Sequence, residues 1–341
     1  MKMRVRMRPI LISQMRYVRQ SMSPYVVSTD CRQPFVADSY GREIRSLRLS
    51  VTQRCDLACP HCHGEGQSPS TEEMSPWEIS RLVSVAASLG IRKVKLTGGE
   101  PLLRDDIVDI VSGISPLVKE VSLTTNGSRL SGSASALKRA GLRRINVSLH
   151  TLNAVLYERL CGIDLTAKVI NGIEAAVSAG LSPVKINMVV FRDENDSEIR
   201  RMIDFSAHVG AVLQLIEYAA DKESSNGGQF KQRFYSLKPF EDILAAQSVE
   251  ITLNELHRRR RYRIPADGGS AVVEVVRPMH NTEFCSNCTR MRMSSDGKLK
   301  PCLLDKSGEI DILGPLRGGA SDDDLRGLFL KAVRNRKPYW R

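Results

Sequence analysis

The chain has 341 residues, 42% of them hydrophobic, which is enough to bury one large core or two smaller ones. No apolar run approaches the length of a membrane span, and Ile10-Leu11-Ile12 is too short for the apolar region of a signal peptide. Half of the net charge of +12 comes from residues 1–35, which hold seven Lys or Arg and one Asp. We therefore expect a basic extension outside the fold at 1–35, and a mildly basic body that needs neither a membrane nor a nucleic acid partner.

Between residues 36 and 220, β-rich apolar runs alternate with stretches of helical periodicity. The predicted strands lie at 47–52, 93–97, 120–125, 144–149, 184–190 and 212–218, and the predicted helices at 76–89, 105–114, 133–140, 167–179 and 197–208. Gly90, Gly141, Gly180 and Gly210 suit the left-handed cap that ends a helix. Successive βα units require a parallel sheet, either as an open doubly wound sheet or as a partial β/α barrel.

Chemistry-bearing residues follow the first four predicted strands. Three cysteines follow the first strand, Gly98-Gly99-Glu100-Pro101 the second, Asn126-Gly127 the third and His150 the fourth. Because the carboxyl ends of parallel strands meet at one edge of a sheet, both arrangements gather these residues at a single site.

Six of the eight cysteines form two trios. The front trio is Cys55-x3-Cys59-x2-Cys62, and the rear trio is Cys285-x2-Cys288 followed by Cys302. Each trio has one thiolate fewer than the four that an iron–sulfur cluster or a structural zinc takes from its protein, so each metal centre would keep an open position for a ligand. Structural zinc is the alternative, and the spacing of the rear trio suits it better than that of the front trio.

The remaining cysteines are Cys31 and Cys161, which we expect to be unreactive thiols. The chain lacks the evenly spread cysteine pairs that are typical of a secreted protein. This pattern indicates a reducing, cytoplasmic compartment.

The front trio after a first strand, with Thr97-Gly98-Gly99-Glu100-Pro101 after the second, resembles the radical S-adenosylmethionine superfamily. Within it, the run at 47–52, the segment Cys285-Ser286-Asn287-Cys288-Thr289-Arg290-Met291-Arg292 and Asp296-Gly297-Lys298 before Cys302 resemble the archaeal-type branch of the GTP 3',8-cyclase family. The resemblance covers residues 39–341. It implies an α/β fold, a partial (β/α)6 barrel at 36–220, with a C-terminal region at 221–341 that carries a second cluster.

In that family, two [4Fe-4S] clusters and S-adenosyl-L-methionine carry the chemistry. The resemblance implies that the front cluster cleaves S-adenosylmethionine reductively to a 5'-deoxyadenosyl radical, which abstracts H3' of GTP. The C3' radical then adds to C8 of guanine. Reduction and protonation give (8S)-3',8-cyclo-7,8-dihydroguanosine 5'-triphosphate, the first step of molybdenum cofactor biosynthesis.

The resemblance also assigns residue roles by matched position. The front cluster would be held by the catalytic cysteines Cys55, Cys59 and Cys62, the substrate cluster by Cys285, Cys288 and Cys302, S-adenosylmethionine by Gly99 and Ser148, and GTP by Arg48, Lys95, Thr124, Lys185, Arg290 and Arg292. Ordinary solvent-facing strand positions are the alternative for Arg48, Lys95 and Lys185. A cation in an apolar strand is costly unless it is paired, which favours the functional role.

Four features depart from bacterial members of the family. His61 stands in place of a tyrosine, Ala219 in place of a methionine and Lys95 in place of an arginine, and the chain ends without a Gly-Gly tail. His63 and His150 are expected to be hydrogen-bonded neighbours of the site rather than catalysts. Glu217, at the end of the sixth predicted strand, is a candidate acid or an ion-pair partner.

The resemblance implies partners as well: GTP as substrate, a ferredoxin- or flavodoxin-like electron donor, a downstream cyclic pterin synthase and a second copy in a homodimer. One alternative is a radical S-adenosylmethionine enzyme that modifies a peptide and carries an auxiliary cluster. Another is a non-catalytic iron–sulfur protein that binds RNA through the extension and the arginine run at 258–261 and 263. That run is either a phosphate-binding stripe or a solvated face, and we expect the solvated face, as charge runs usually are.

Overall fold

The computed structural model describes residues 35–254, 258–267, 269–279, 281–305 and 307–339. Residues 1–34 of the predicted basic extension, including Cys31, lie outside the described residues. Within the described part of the chain, no helix is both long and apolar enough to cross a bilayer.

Strands and helices alternate through the first two thirds of the described chain. The strands are β1 (Ser46–Ser50), β2 (Lys93–Thr97), β3 (Glu120–Thr125), β4 (Arg144–Ser148), β5 (Val184–Val190), β6 (Val212–Glu217), β7 (Glu250–Asn254), β8 (Arg259–Ala266), β9 (Gly269–Val276), β10 (Arg290–Met293), β11 (Lys298–Lys300) and β12 (Ile310–Asp311). The helices are α1 (Pro76–Ser88), α2 (Ile107–Ile114), α3 (Leu130–Arg139), α4 (Ala154–Cys161), α5 (Thr166–Ser178), α6 (Ile199–His208), α7 (Gly228–Arg233), α8 (Lys238–Gln247), α9 (Thr282–Ser286), α10 (Leu313–Arg317) and α11 (Asp322–Arg334).

The order of the strands separates the two predicted arrangements. β1 to β6 lie side by side in chain order, and each pairs in parallel with the next. A doubly wound sheet reverses its strand order at a switch point, and no reversal occurs here. The partial (β/α)6 barrel is therefore confirmed.

Strands from beyond residue 220 extend both edges of this sheet. At one edge β9 pairs in parallel with β6, and β8 and β7 follow as antiparallel strands. At the other edge β10 pairs in parallel with β1, followed by antiparallel β11 and β12. The predicted C-terminal region therefore completes the sheet at both ends and carries the rear trio to the side of β1.

The two faces of the barrel strands differ in chemistry. On one face Leu47, Leu49, Val94 and Leu96 are fully buried, and right-handed βαβ crossovers place all the helices on a single side of the sheet. The residues between them, such as Arg48, point to the opposite face. The helix side is thus the apolar core, and the interior of the barrel is polar.

Local signals explain where the helices begin and end. Ser75 and Glu78 form a reciprocal capping box at the start of α1, with Pro76 in its first turn. Gly141 and Gly180 have φ values of 103° and 73°, in the left-handed region expected for residues that follow a helix. The predicted helix at 133–140 begins earlier, at Leu130, and α4 is an additional helix between β4 and α5.

Candidate functional site

Three basic side chains form a row across the interior face of the sheet. The pairing of β10 with β1 sets Arg292 beside Arg48, and the pairing of β1 with β2 sets Arg48 beside Lys95. The side chains of Arg292 and Arg48 are only 12% and 19% exposed. Three residues that the sequence places in distant segments therefore line one cavity wall.

Glu65 is the negative partner in this row. Its carboxylate accepts hydrogen bonds from Arg48 Nε at 2.8 Å, Arg292 Nη1 at 2.9 Å and Thr97 Oγ1 at 2.9 Å. Burial acts to raise the pKa of Glu65, but Arg48 and Arg292 outweigh it and hold that pKa well below its usual value. Because Glu65 lies three residues after Cys62, it ties the loop of the front trio to the cations of β1 and β10.

Lys95 lies among other cations. Its Nζ donates a 2.7 Å hydrogen bond to Asn146 Oδ1, and Asn146 Nδ2 donates to Asn187 Oδ1 at 3.0 Å. Burial, followed by the charges of Arg144 and Arg48, brings the pKa of Lys95 well below its ordinary value of 10.5. An anion beside Lys95 would favour the charged form of this lysine and raise its pKa.

Lys185 extends the basic lining to β5. Its Nζ lies 2.5 Å from Glu274 Oε1 on β9, and Gln214 on β6 donates to the other carboxylate oxygen at 2.8 Å. Burial lowers the pKa of Lys185 to about 8, although Glu274 opposes the shift. Thr124 faces the same interior, in register with Asn146 on β4. Sequence reasoning identified Lys185 and Thr124 but neither Gln214 nor Glu274.

The rear trio lies beside the arginine row. Cys285 lies in α9, and the Cys288 N–H donates a hydrogen bond to the Cys285 carbonyl at 3.2 Å. Burial lowers the pKa of Arg292, whereas Glu65 and the thiolates of Cys302 and Cys288 favour its charged form. Cys288 lies two residues before β10 and Cys302 two residues after β11. Because β10 and β11 are antiparallel neighbours, the start of β10 lies beside the end of β11, which brings both cysteines to one end of this edge of the sheet.

Two buried arginines hold the backbone of the rear trio from behind. Arg42 Nη1 donates to the Cys285 carbonyl at 3.0 Å, and Arg336 Nη2 donates to the Cys288 carbonyl at 2.7 Å. Both guanidinium groups also bind Asp38 Oδ2, at 2.8 and 2.7 Å. Since Arg336 is 1% exposed and Asp38 is 6% exposed, this is a buried network that joins the two ends of the described chain.

The front trio occupies the loop after β1. The Cys62 N–H donates to the Cys59 carbonyl at 3.0 Å, and Gly64 N–H lies 3.4 Å from Cys62 Sγ. Cys161, which we expected to be an unreactive thiol, is buried at the end of α4, where its carbonyl oxygen lies 4.0 Å from Cys59 Sγ. Cys161 therefore packs at the end of α4, next to Cys59 of the front trio.

The Gly-Gly-Glu turn after β2 supports the same loop. A Cβ at Gly99 would lie 2.3 Å from the Arg54 carbonyl oxygen and 2.6 Å from that of Gln53. Glu100 accepts hydrogen bonds from Thr125 Oγ1 at 2.7 Å and from the Asn126 N–H at 2.6 Å. Glycine is required at 99 for close approach to the front loop, and Glu100 ties the carboxyl end of β2 to that of β3.

Histidines near the front trio are linked to each other. The Val189 N–H donates to His150 Nδ1 at 3.1 Å, and His150 Nε2 lies 3.3 Å from His61 Nε2. His150 is therefore the tautomer with its proton on Nε2, and it donates that proton to His61. His63 Nδ1 accepts from the Glu65 N–H at 3.1 Å. His63 and His150 thus make the hydrogen bonds that we expect of them, and His61 is held by His150.

Two other residues singled out from the sequence lie at the end of β6 and just beyond it. Ala219 packs in a small apolar cluster with Met279 and Cys285. Glu217 accepts a hydrogen bond from the Leu237 N–H at 3.1 Å and has Arg277 at 3.6 Å. Burial raises the pKa of Glu217 to about 7. Its contacts fit the ion-pair alternative.

The donor chemistry of both trios fits iron–sulfur clusters. Each trio offers three free thiols, one fewer than the four that a cluster with no open position takes from its protein. Among the described residues, no group of three or more His, Cys, Asp and Glu side chains converges closely enough to hold a single metal ion. A four-iron cluster instead distributes its thiolate ligands over different irons, so its ligands stand further apart.

Two family models match the chain. The radical SAM superfamily matches residues 49–206, and Molybdenum Cofactor Synthesis C matches residues 211–341. A "Probable GTP 3',8-cyclase" of Thermococcus kodakarensis is 51% identical over 89% of this chain and 99% of its own length. The proteins of the same name from Methanothermobacter thermautotrophicus and Thermoplasma volcanium are 45% and 40% identical, over 89% and 90% of this chain and 99% and 93% of their own lengths.

Solved structures show the same fold at low identity. Streptococcus suis SuiB bound to the precursor peptide SuiA matches with a TM-score of 0.59 and 18% identity, over 87% of this chain and 67% of SuiB. SuiB bound to S-adenosylmethionine matches with a TM-score of 0.56 and 16% identity, over 89% of this chain and 77% of SuiB. At these identities the likeness shows the fold alone.

The close approach at Gly99 gives a first prediction. In Gly99→Ala the new methyl group meets the backbone of residues 53 and 54, so the front loop must shift and its metal site is disturbed. After anaerobic reconstitution with iron and sulfide, we expect less iron per chain than in the wild type. Gly132→Ala on α3 is the control, because nothing lies within 4 Å of its added carbon. Equal iron in both variants would contradict the prediction.

The network behind the rear trio gives a second prediction. Arg336→Met removes a buried donor from the Cys288 carbonyl and leaves Asp38 with one partner fewer, so the rear loop loosens. We expect iron content to fall toward about half of the wild-type value, because only one of two sites is disturbed. Iron analysis and the electron paramagnetic resonance of each reduced cluster measure this. Lys331→Met, at an exposed position on α11, which ends two residues before Arg336, is expected to keep full iron. Full iron in Arg336→Met would contradict a role of Arg336 in holding the rear loop.

Proposed function

The chain belongs to the GTP 3',8-cyclase family of the radical SAM superfamily, and we infer that it converts GTP to 3',8-cyclo-7,8-dihydro-GTP in molybdenum cofactor biosynthesis. It is a radical S-adenosylmethionine enzyme with two [4Fe-4S] clusters.

One structural observation carries this function: the parallel pairing of β10 with β1. It joins the rear-trio segment to the strand that leads into the front trio. As a result, the loops of both trios and the cations between them face one cavity. A protein with two independent structural metal sites would not require this arrangement.

We propose that Cys55, Cys59 and Cys62 hold the front cluster and that Gly99 and Ser148 contact S-adenosylmethionine. When bound, the front cluster and S-adenosylmethionine together would supply a 5'-deoxyadenosyl radical. The role of Gly99 follows from its position at the carboxyl end of β2, directly against the front loop. Ser148 is the last residue of β4, the strand that precedes His150. These positions lie at the ligand-binding ends of the strands.

We propose that the six matched residues Arg48, Lys95, Thr124, Lys185, Arg290 and Arg292 bind GTP. Five of them are cations. Glu65 contacts Arg48 and Arg292, and Glu274 contacts Lys185. A triphosphate brings about four negative charges, which pair with buried guanidinium groups through strong charge-assisted hydrogen bonds. These residues hold the substrate, exclude water and fix the ribose relative to the front loop.

Cys285, Cys288 and Cys302 would hold the second cluster, which by family resemblance binds the guanine edge. Arg290 lies two residues after Cys288 and Arg292 lies between Cys288 and Glu65, so both link the rear trio to the row of cations. We place the reaction in the cytoplasm, with a ferredoxin- or flavodoxin-like electron donor, a homodimeric assembly and a cyclic pterin synthase as the next enzyme. The division into a core at 36–220 and a C-terminal region at 221–341 is part of the same proposal.

The test is an anaerobic assay of the reconstituted protein with dithionite, S-adenosylmethionine and GTP. 5'-Deoxyadenosine and the pterin-derived fluorescent product are followed together. We expect both with GTP and no pterin product with ATP. Formation of 5'-deoxyadenosine while GTP is returned unchanged would show that the substrate assignment is wrong. Arg290→Gln and Arg292→Gln are expected to lose the pterin product while retaining slow cleavage of S-adenosylmethionine.

The depressed pKa of Lys95 predicts proton uptake when GTP binds. The bound anion raises that pKa back toward 10.5, so the complex holds more protons than the free enzyme. GTP affinity should therefore fall as the pH rises through the window below 10.5. Titration calorimetry above pH 7.5 in two buffers of different ionisation enthalpy measures the protons taken up. Lys95→Met should take up fewer protons than the wild type, and an unchanged number would contradict the assignment.

A further inference from the structure

The arginine run at 258–263 does not form a single solvated face, which corrects the expectation from the sequence. Its members alternate along β8, so that successive side chains point to opposite faces of the sheet. Arg260 lies on one face and is exposed. On the other face Arg259 and Arg261 are partly buried, whereas Arg263, further along the strand, is exposed. Arg259 retains only 13% of its side-chain exposure.

Arg259 and Arg261 point toward the same interior as Lys185. Arg261 Nε donates to Glu274 Oε1 at 2.6 Å, and Arg259 Nη1 lies 3.8 Å from Glu274 Oε2. Lys185 binds that carboxylate from β5. One carboxylate therefore lies within 4 Å of three cations, and β8 contributes two of them to the wall of the proposed substrate cavity.

Arg259 is a buried cation of this wall. Its side chain is 13% exposed, and the carboxylate beside it, Glu274, is already bound by Lys185 and Arg261. Burial lowers the pKa of Arg259, Glu274 opposes the shift, and Arg144 adds to it. Like charges held in a buried space are stabilised by an anion between them.

We propose that Arg259 is a phosphate-binding residue of the substrate site, which grips the polyphosphate of the nucleotide from the side of β8. This inference rests on the proposed function and deepens it. Arg259 shares the Glu274 carboxylate with Lys185, so the anionic end of the substrate would lie beside both cations, on the β8 side of the barrel interior. The nucleoside part is bound elsewhere in the cavity.

The experiment compares binding of GTP and of guanosine to the reconstituted enzyme by anaerobic equilibrium dialysis. Arg259→Gln should weaken GTP binding by roughly tenfold or more, the loss expected for a charge-assisted hydrogen bond, and leave guanosine binding unchanged. Arg259→Lys keeps the charge without the bidentate fork, so its affinity for GTP should lie between those of the wild type and Arg259→Gln. Binding of S-adenosylmethionine should be unaffected in both variants.

Arg263→Gln is the matched control, because Arg263 belongs to the same run but is exposed and pairs with Glu250 at 2.8 Å. It removes the same charge from the same strand. The inference is overturned if Arg259→Gln and Arg263→Gln bind GTP equally well. It is also overturned if Arg259→Gln weakens GTP and guanosine by the same factor, since that would show a structural role through Glu274.

The wild-type enzyme separates this inference from the function beneath it. If the wild type itself binds no GTP, the proposed function fails and the role of Arg259 fails with it. If the wild type binds and converts GTP while Arg259→Gln does so with an unchanged KM, only the role of Arg259 fails. A raised KM for GTP with little change in kcat at saturation supports it, because the residue binds a part of the substrate that does not react.

Discussion

The organisation of this protein depends on positive charge held inside a parallel sheet. Cations from β1, β2, β5, β8 and β10 point to one interior face, while the other face of the same strands is the apolar core. Burying unpaired charges is strongly unfavourable. Glu65 and Glu274 each bind more than one of these cations, which offsets part of the free-energy cost of burying them. Because the carboxylates are fewer than the cations, the cavity remains suited to an anionic ligand, and such a ligand would stabilise the folded chain when it binds.

Contacts between distant parts of the sequence place the second metal site. β10 reaches the interior only because it pairs with β1, and the Asp38 network fixes the backbone of Cys285 and Cys288 from the other side. Arg42 and Arg336 therefore belong to the site, although neither faces the cavity of the substrate. The charge of Arg336 also acts on one thiol: burial opposes the effect, but Arg336, Arg290 and Arg292 together lower the pKa of Cys288. A lowered pKa favours the thiolate that an iron cluster requires.

The sequence predicts the barrel strands and the ends of its helices well, because these depend on local periodicity and on residues such as Gly141 and Gly180. It does not separate a barrel from a doubly wound sheet, since both consist of the same βα units and differ only in strand order. The apolar runs also conceal the polar interior face: Asn146 and Gln214 are single polar residues within apolar strands. Glu65 and Glu274 carry no motif, and only the folded chain shows which cations they bind. The arginine run is not one solvated face, because Arg259 and Arg261 pair with Glu274, and no local pattern in the sequence indicates that pairing.

The class of substrate is set by the interior face of the barrel and not by the fold. SuiB has the same fold, and one of its structures holds a precursor peptide, so the barrel by itself does not select a nucleotide. Selection must come from the interior face. A neutral peptide in this cavity would leave Lys95, Arg290 and Arg292 desolvated among like charges, whereas a triphosphate would pair with them. The excess of buried cations over carboxylates therefore argues for a polyanionic substrate, independently of the likeness to named relatives.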